Sequence, residues 1–198
     1  MPREDPYAIA ATVAVEFVNT VACPACHGSD LLATSRRAAT WLRKHTGHSL
    51  EILSGTEVAR VRRFRTTVTD LVETARRGVR PSRRSLARLN GASRRLSTFV
   101  EVSWSGGVWR PAHRARPRRG PDLALARIAR ATIALLGGPE LARLRRCEGR
   151  GCQHYLLART RGQRWCSSAG CGNRARVARH YRARSRRRPG RRGVTSTA

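Results

Sequence analysis

Four of the chain's six cysteines stand near its C-terminal end in a spacing that can hold a metal. Cys147, Cys152, Cys166 and Cys171 read C-x4-C-x13-C-x4-C. Two close pairs around a short connector suit a tetrahedral Zn2+, because each pair supplies two thiolates from one turn and the connector brings the turns together. Four thiolates on one Zn2+ leave a local charge of about −2. Arg145, Arg146, Arg150 and Arg174 flank the ligands and can favour the thiolate form. Gly149, Gly151, Gly170 and Gly172 allow sharp turns that aim backbone N–H groups at sulfur. The alternatives are four incidental buried cysteines or an iron–sulfur cluster. Four cysteine ligands leave no open position, which argues against a catalytic zinc.

The elements around this quartet follow from periodicity and turn residues. Between the pairs, Tyr155 to Ala158 read as a strand, Arg161-Gly162-Gln163 as a turn, and Trp165 as an apolar plug against the metal. A helix is expected from Asn173, as N-cap, to about Arg184, with Val177, Ala178 and Tyr181 inward. Arg164, Arg174, Arg176, Arg179, Arg182 and Arg184 are the candidate nucleic-acid contacts, able to reach guanine edges or phosphates. The alternative is a solvated arginine face.

Upstream, Ile9, Val13 and Phe17 share one face of a helix over residues 8–18, and 22–34 read as a loop. Ser35 is the expected cap of a helix to about Lys44, with Ala38, Ala39 and Leu42 inward and Gly47 past its end. Thr56 begins a helix with Val58, Val61, Phe64, Val68, Leu71, Val72 and Ala75 at helical spacing, stopped by Gly78. Pro81 opens another to about Arg95, with Leu86, Leu89 and Ala92 inward. Residues 98–104, the Ser105-Gly106-Gly107 turn and Val108 to Arg110 predict a β-hairpin, with Trp104 and Trp109 paired across it. Residues 112–120 read as a linker. Pro121 starts an apolar helix with Leu123, Leu125, Ile128, Ile133, Leu135 and Leu136, broken at Gly137-Gly138-Pro139. Glu140 to about Arg146 reads as one or two helical turns. The expected fold class is mostly α (α+β): a helical N-terminal domain with a small hairpin, then a four-cysteine zinc module.

Formal net charge is +29, from 41 basic and 12 acidic residues, and Lys44 is the only lysine. Base composition of the genome explains arginine in place of lysine, but not the shortage of Asp and Glu. A field this positive attracts polyanions, with strong salt dependence. No stretch approaches the ~20 apolar residues that span a bilayer. The N-terminus has no recognisable export signal, so the expected location is cytoplasmic, at the nucleoid, with cysteines reduced.

Cys23-Pro24-Ala25-Cys26-His27 matches the c-type haem attachment signal, which needs export and is set aside on that ground. An ordinary loop with two reduced cysteines is the expectation. A redox dithiol, or a second metal site drawing on His27, His45 and His48, are the alternatives. Asn19 and Thr20 either line a ligand pocket or cap the preceding helix. Asp70 and Glu73 read as surface ion-pair partners of Arg65, Arg76 and Arg77, not as an acid/base couple. Trp41 reads as core. No Ser/His/Asp arrangement, phosphate loop or carboxylate pair has convincing spacing, so no catalytic residue and no enzyme are expected.

The segment Leu144 to Cys152, with Arg164-Trp165-Cys166-Ser167 and Cys171-Gly172-Asn173-Arg174, resembles the bacterial CGNR zinc-finger family. Phe17-Val18-Asn19-Thr20 followed by Ala39-Thr40-Trp41-Leu42 resembles the ABATE domain that precedes this finger. The resemblance covers almost the whole chain. It departs in a slightly shorter Cys152–Cys166 stretch and in Ala158 where an aspartate is expected. It implies a transcription regulator: 1–140 as a regulatory or ligand-sensing domain, 141–185 as a DNA-binding finger with the four cysteines on Zn2+, and 186–198 as a disordered basic tail. DNA is the expected partner, with RNA as the alternative; a homodimer and a small-molecule effector are further candidates, and a membrane is not. A third reading is a sensor or enzyme whose finger is only a structural clamp.

Overall fold

The structure, a computed structural model, describes residues 6–26, 28–48, 50–96, 98–105, 108–115 and 120–187. The elements in chain order are α1 (Pro6–Val18), α2 (Ser35–Thr46), α3 (Gly55–Arg76) and α4 (Arg83–Arg94). The hairpin β1 (Thr98–Ser105) and β2 (Val108–Ala115) follows, then α5 (Asp122–Gly137). The C-terminal part holds β3 (Leu144–Arg146), β4 (Tyr155–Leu157) and α6 (Asn173–Arg187). The chain is therefore mostly helical with small antiparallel sheets, as expected.

Side-chain caps set the helix starts. Thr34, not Ser35, caps α2 by accepting the Arg37 N–H, because the Ser35 hydroxyl is committed to the Leu53 carbonyl. Gly47 ends α2 at φ 62°, a left-handed conformation that favours glycine. Ser54 and Glu57 form a reciprocal capping box, so α3 starts at Gly55, one residue earlier than periodicity places it. Ser82 caps α4 and delays its start past Pro81.

The core forms where α1 and α5 meet and α2, α3 and α4 close round them. Ala11 and Ala14 of α1, and Ala124 and Ala129 of α5, are fully buried, and such small side chains let helix axes approach closely. Phe17 packs on Trp41 at 5.4 Å and on Phe64 at 6.1 Å between ring centroids. Leu86 and Ile133, expected inward, are exposed, because each helix buries a narrower stripe than its apolar content allows. In the hairpin Trp104 stands opposite Trp109, as expected, but β2 runs to Ala115 through the start of the expected linker. Gly106, Gly107 and residues 116–119 lie outside the described residues.

The helical turns expected over 140–146 are present only as a short 3-10 helix (Pro139–Arg143); residues 144–146 are instead β3, which pairs with β4 in the register Leu144↔Leu157, Arg146↔Tyr155. The sequence predicts the strand at 155–158 but not its partner. Leu144 and Tyr155 are buried in the same apolar cluster as Phe17 and Leu71, so the cysteine-bearing segment shares the core of the helical part. Asn19 locks this junction as a strand would. Its Nδ2 donates to the Tyr155 carbonyl and its Oδ1 accepts the Tyr155 N–H, both at 2.8 Å. The Tyr155 hydroxyl donates to Glu73 Oε2 at 3.0 Å.

Glu73 pairs with Arg76, as expected, whereas Asp70 accepts from the Ser85 hydroxyl and Arg65 turns to Asp30. Hydrogen bonds from Arg76, working against burial and joined by that from Tyr155, hold the Glu73 carboxyl down from its ordinary 4.5 to about 2. A carboxylate whose pKa is depressed by folding contributes stability above its unfolded pKa and loses it as pH falls toward the folded one. The stability margin of wild type over Glu73→Gln should therefore be full above pH 4.5 and shrink as pH falls to about 2. Urea melts of both proteins across that range are the check; a margin independent of pH would show that Tyr155 and Arg76 do not act through the carboxylate.

Candidate metal centre and arginine helix

All six cysteine sulfurs converge. Cys152 Sγ lies 3.9 Å from Cys166 Sγ, which lies 3.8 Å from Cys171 Sγ. Cys147 Sγ accepts N–H bonds from Gly149 at 3.4 Å and Cys166 at 3.3 Å. From the loop before α2, Cys26 Sγ sits 3.4 Å from Cys152 Sγ and 3.7 Å from Cys171 Sγ, and Cys23 Sγ 3.9 Å from Cys152 Sγ. A Zn–S bond of about 2.3 Å gives a tetrahedron edge of about 3.8 Å, close to these separations. The ligand atoms of Cys26, Cys152, Cys166 and Cys171 all lie within 4.8 Å of one another, and so do those of Cys23, Cys26, Cys152 and His154.

The donor set fits a thiophilic cation. Buried thiols resist ionising together unless positive charge is close. Burial pushes the Cys152 thiol far up and the Cys166 thiol up to about 12. Cys147 is burdened by burial too, yet the N–H groups of Cys166 and Gly149 hold it below the usual thiol value. Among the flanking arginines it is Arg174 that reaches sulfur, at 3.0 Å from Cys171 and 3.9 Å from Cys26. Arg145 instead donates to the Ala142 and Leu144 carbonyls. Trp165 packs against the sulfurs, as expected of a plug.

The loop carrying Cys23 and Cys26 is braced from α3. Arg65, 12% exposed, forms a two-pronged pair with Asp30 at 2.8 Å and also donates to the Thr20 hydroxyl. The Arg65 hydrogen bond holds the Asp30 carboxyl below the usual range. Arg62 donates to the Leu32 and Ala33 carbonyls. Thr20 is buried and its hydroxyl donates to the Phe17 carbonyl, closing the end of α1. Asn19 borders a cleft of about 1260 Å3, but its amide is spent on Tyr155. Cys23 and Cys26, expected in an ordinary loop, instead stand among these sulfurs; Cys26 belongs to the close group with Cys152, Cys166 and Cys171, whereas Cys147 of the expected quartet lies in the same buried cluster but outside that group. The C-x2-C spacing of Cys23 and Cys26 is itself a ligand spacing, and it is the signal in the sequence that points there. His45 pairs with Glu16 and stacks on Trp41, and His154 is the imidazole at the sulfurs. His27 lies outside the described residues.

The order of the two parts, a helical bundle leading into a cysteine centre, agrees with two family models. Residues 11–139 match ABATE, described as "putative stress-induced transcription regulator", and residues 143–187 match the CGNR zinc finger. The chain belongs to the ABATE family. No curated protein matches it. No described helix is long and apolar enough to cross a membrane.

Beyond its ABATE part, the chain ends its described residues in α6. The cap before this helix is Ser167, whose hydroxyl accepts the Gly170 N–H, and a π turn (Ser168–Gly172) runs into α6; Asn173, at φ −64° and ψ −48°, is already helical and is not the N-cap. Val177 and Tyr181, expected inward, are 46% and 64% exposed, since α6 packs on the preceding π turn and then leaves the body of the protein. It extends to Arg187, past the expected end; residues 188–198, where a disordered tail is expected, lie outside the described residues. Arg179, Arg182 and Arg184 are exposed and without ion-pair partners among the described residues. Arg176 donates to the Ser168 carbonyl, Arg164 pairs with Glu148 and lies over the Trp165 ring, and Arg174 is turned to the sulfurs. No acidic residue follows Glu148 in the sequence.

Gly149 is the tightest point of the centre. A Cβ there would meet Cys171 Sγ at 2.8 Å and Cys171 Cβ at 3.0 Å, whereas one at Gly162 would meet nothing within 4 Å. Gly149→Ala should lower the melting temperature by several degrees and reduce bound metal, with Gly162→Ala close to wild type. Thermal melts and elemental analysis of both proteins check this; equal behaviour would mean the centre has slack the geometry denies.

Proposed function

We propose that the chain is a DNA-binding transcription regulator in which Zn2+ on Cys147, Cys152, Cys166 and Cys171 folds the module and α6 carries the arginines that meet DNA. The observation that supports this most directly is α6 itself. It is a cationic helix anchored at its first turn, free on its remaining faces, and without acidic partners among the described residues. A helix that buries no apolar face gains little from its own protein, and neighbouring arginines repel. Phosphates relieve that repulsion and release counterions. Arg179, Arg182 and Arg184 are the contacts of this reading; Arg164, Arg174 and Arg176 hold the base of the helix. The ABATE part supplies regulation, and the cleft bordered by Glu16, Asn19, Glu140 and Arg143 is the place for an effector.

Replacing Arg179 and Arg182 by alanine should weaken duplex binding and flatten the dependence of log K on log salt by about 1 to 2. Fluorescence anisotropy from roughly 50 to 300 mM salt, the range over which such contacts fade, measures it. An unchanged slope assigns binding to another surface, and structured RNA outcompeting duplex by orders of magnitude replaces DNA with RNA.

Cys166→Ser should release metal and unfold residues 144–187 while the helices of residues 6–137 persist, because ion binding supplies much of a small metal module's folding energy. Limited proteolysis read by mass spectrometry separates the two halves. Full retention of metal and fold removes Cys166 from the ligand set.

A further inference from the structure

We propose that Cys23, Cys26, Cys152 and His154 hold a second Zn2+-class ion beside the first, with the Cys152 thiolate bridging the two. This rests on the Cys147, Cys152, Cys166, Cys171 assignment above and extends it. The ligand atoms of the four residues lie within 4.8 Å of one another, and the sulfur separations from Cys152 are 3.4 Å to Cys26 and 3.9 Å to Cys23. Three sulfurs and one imidazole are a tetrahedral zinc donor set.

His154 supplies the independent observation. Its Nε2 is buried and has no hydrogen-bond partner among the described residues. The ring meets the Val21 backbone, and with Nε2 unpartnered that contact falls to Nδ1, which leaves Nε2 free to ligate. A ligating histidine is held in this way, with one nitrogen tied to a carbonyl and the other on the metal. A buried polar atom left unpaired is otherwise hard to account for.

Donor number agrees. Two four-coordinate ions need eight positions. Six thiolates and one imidazole supply seven, and one bridging thiolate supplies the eighth. Cys152 and Cys26 both lie near sulfurs of both groups, and Cys152 is the bridge when Cys147 completes the first site. Two divalent ions and six thiolates carry less negative charge per metal than a lone four-thiolate site, and Arg174 faces the shared edge between Cys26 and Cys171.

The loop is preformed for this task. Cys23 and Gly28 exchange backbone hydrogen bonds of 3.0 and 3.2 Å, Cys26 N–H donates to the Cys23 carbonyl at 2.8 Å, and Arg65 pins Asp30 beyond them. The second ion would thus staple the loop before α2 to the C-terminal module, across 126 to 131 residues of sequence, as its four donors dictate.

Elemental analysis of the full-length protein, purified without chelator, should give two zinc ions per chain, falling to one in Cys23→Ser and in His154→Ala. Replacement with cadmium should give two 113Cd resonances in wild type, which keeps the test alive where a variant folds poorly. One ion per chain in wild type, undiminished in the variants, or a single cadmium resonance overturns the second site and leaves the four-cysteine module standing. Two ions unaffected by both variants also overturn it, by placing the second metal elsewhere. No metal in wild type overturns the second site and the module together.

Discussion

Crowded sulfur is the constraint from which the rest of the architecture follows. Six cysteine side chains from two segments far apart in sequence meet at one point, most of them removed from solvent. The segment after α5 has little else to fold on: Leu144 and Tyr155 belong to the core of the helical part, and apolar residues near the sulfurs amount to Leu156, Ala25 and Trp165. A unit that small cannot bury enough surface to order itself. Its two strands lean on the helical part, and its clustered thiols are the kind of donor set through which a bound metal orders so small a unit. The helical part in turn offers a fixed seat, the Asn19 amide paired to the Tyr155 backbone and Glu73 beneath the Tyr155 hydroxyl. Finger and bundle are one packed body.

That seat explains why the arginine helix can stand free. Once the π turn is pinned by Ser167, Cys171 and the close approach at Gly149, the direction of α6 is set by its first residues, and nothing further along needs to pack. An exposed helix of this charge is marginal by itself. Its stability rises with any partner that supplies distributed negative charge, so order in α6 and binding to a polyanion are thermodynamically linked. Packing Val177 and Tyr181 inward would have stabilised the free protein and hidden half of the cationic surface.

Local signals are legible in the sequence and distant ones are not. The cysteine pairs, Gly47 and Gly78 as stops, the Trp104–Trp109 register and the strand after Cys152 all rest on spacing within a few residues. Caps are harder, because Ser35 and Asn173 have the right chemistry but Thr34 and Ser167 have the right backbone. Periodicity does not show that Val177 and Tyr181 face solvent, since an i, i+4 apolar pair reads alike whether or not another element lies opposite. It is equally silent on β3, whose strand character comes from pairing with β4. The approach of Cys26 to Cys152 and Cys171 belongs to tertiary structure, set by the Arg65–Asp30 brace and by Asn19, neither of which leaves a pattern along the chain.

The same contacts define a route between the two parts. Arg65 fixes Asp30 and Thr20, these fix the loop that holds Cys26, Cys26 shares Arg174 with Cys171, and Arg174 lies in the first turn of α6. Contact alone is not coupling; each end must favour one of two arrangements of something between them. If the second ion proposed above is bound, the two-thiol loop has such arrangements, its sulfurs drawn onto a cation or released from it, and Arg174 would face a different charge in each. With the loop held, the guanidinium stays on the sulfurs and α6 leaves the body at a fixed angle. With the loop released, Arg174 would lose its contact with Cys26 and keep only that with Cys171. The loop before α2 and the first turn of α6 thus meet at one guanidinium, and any coupling between the two parts along this route has to pass through it.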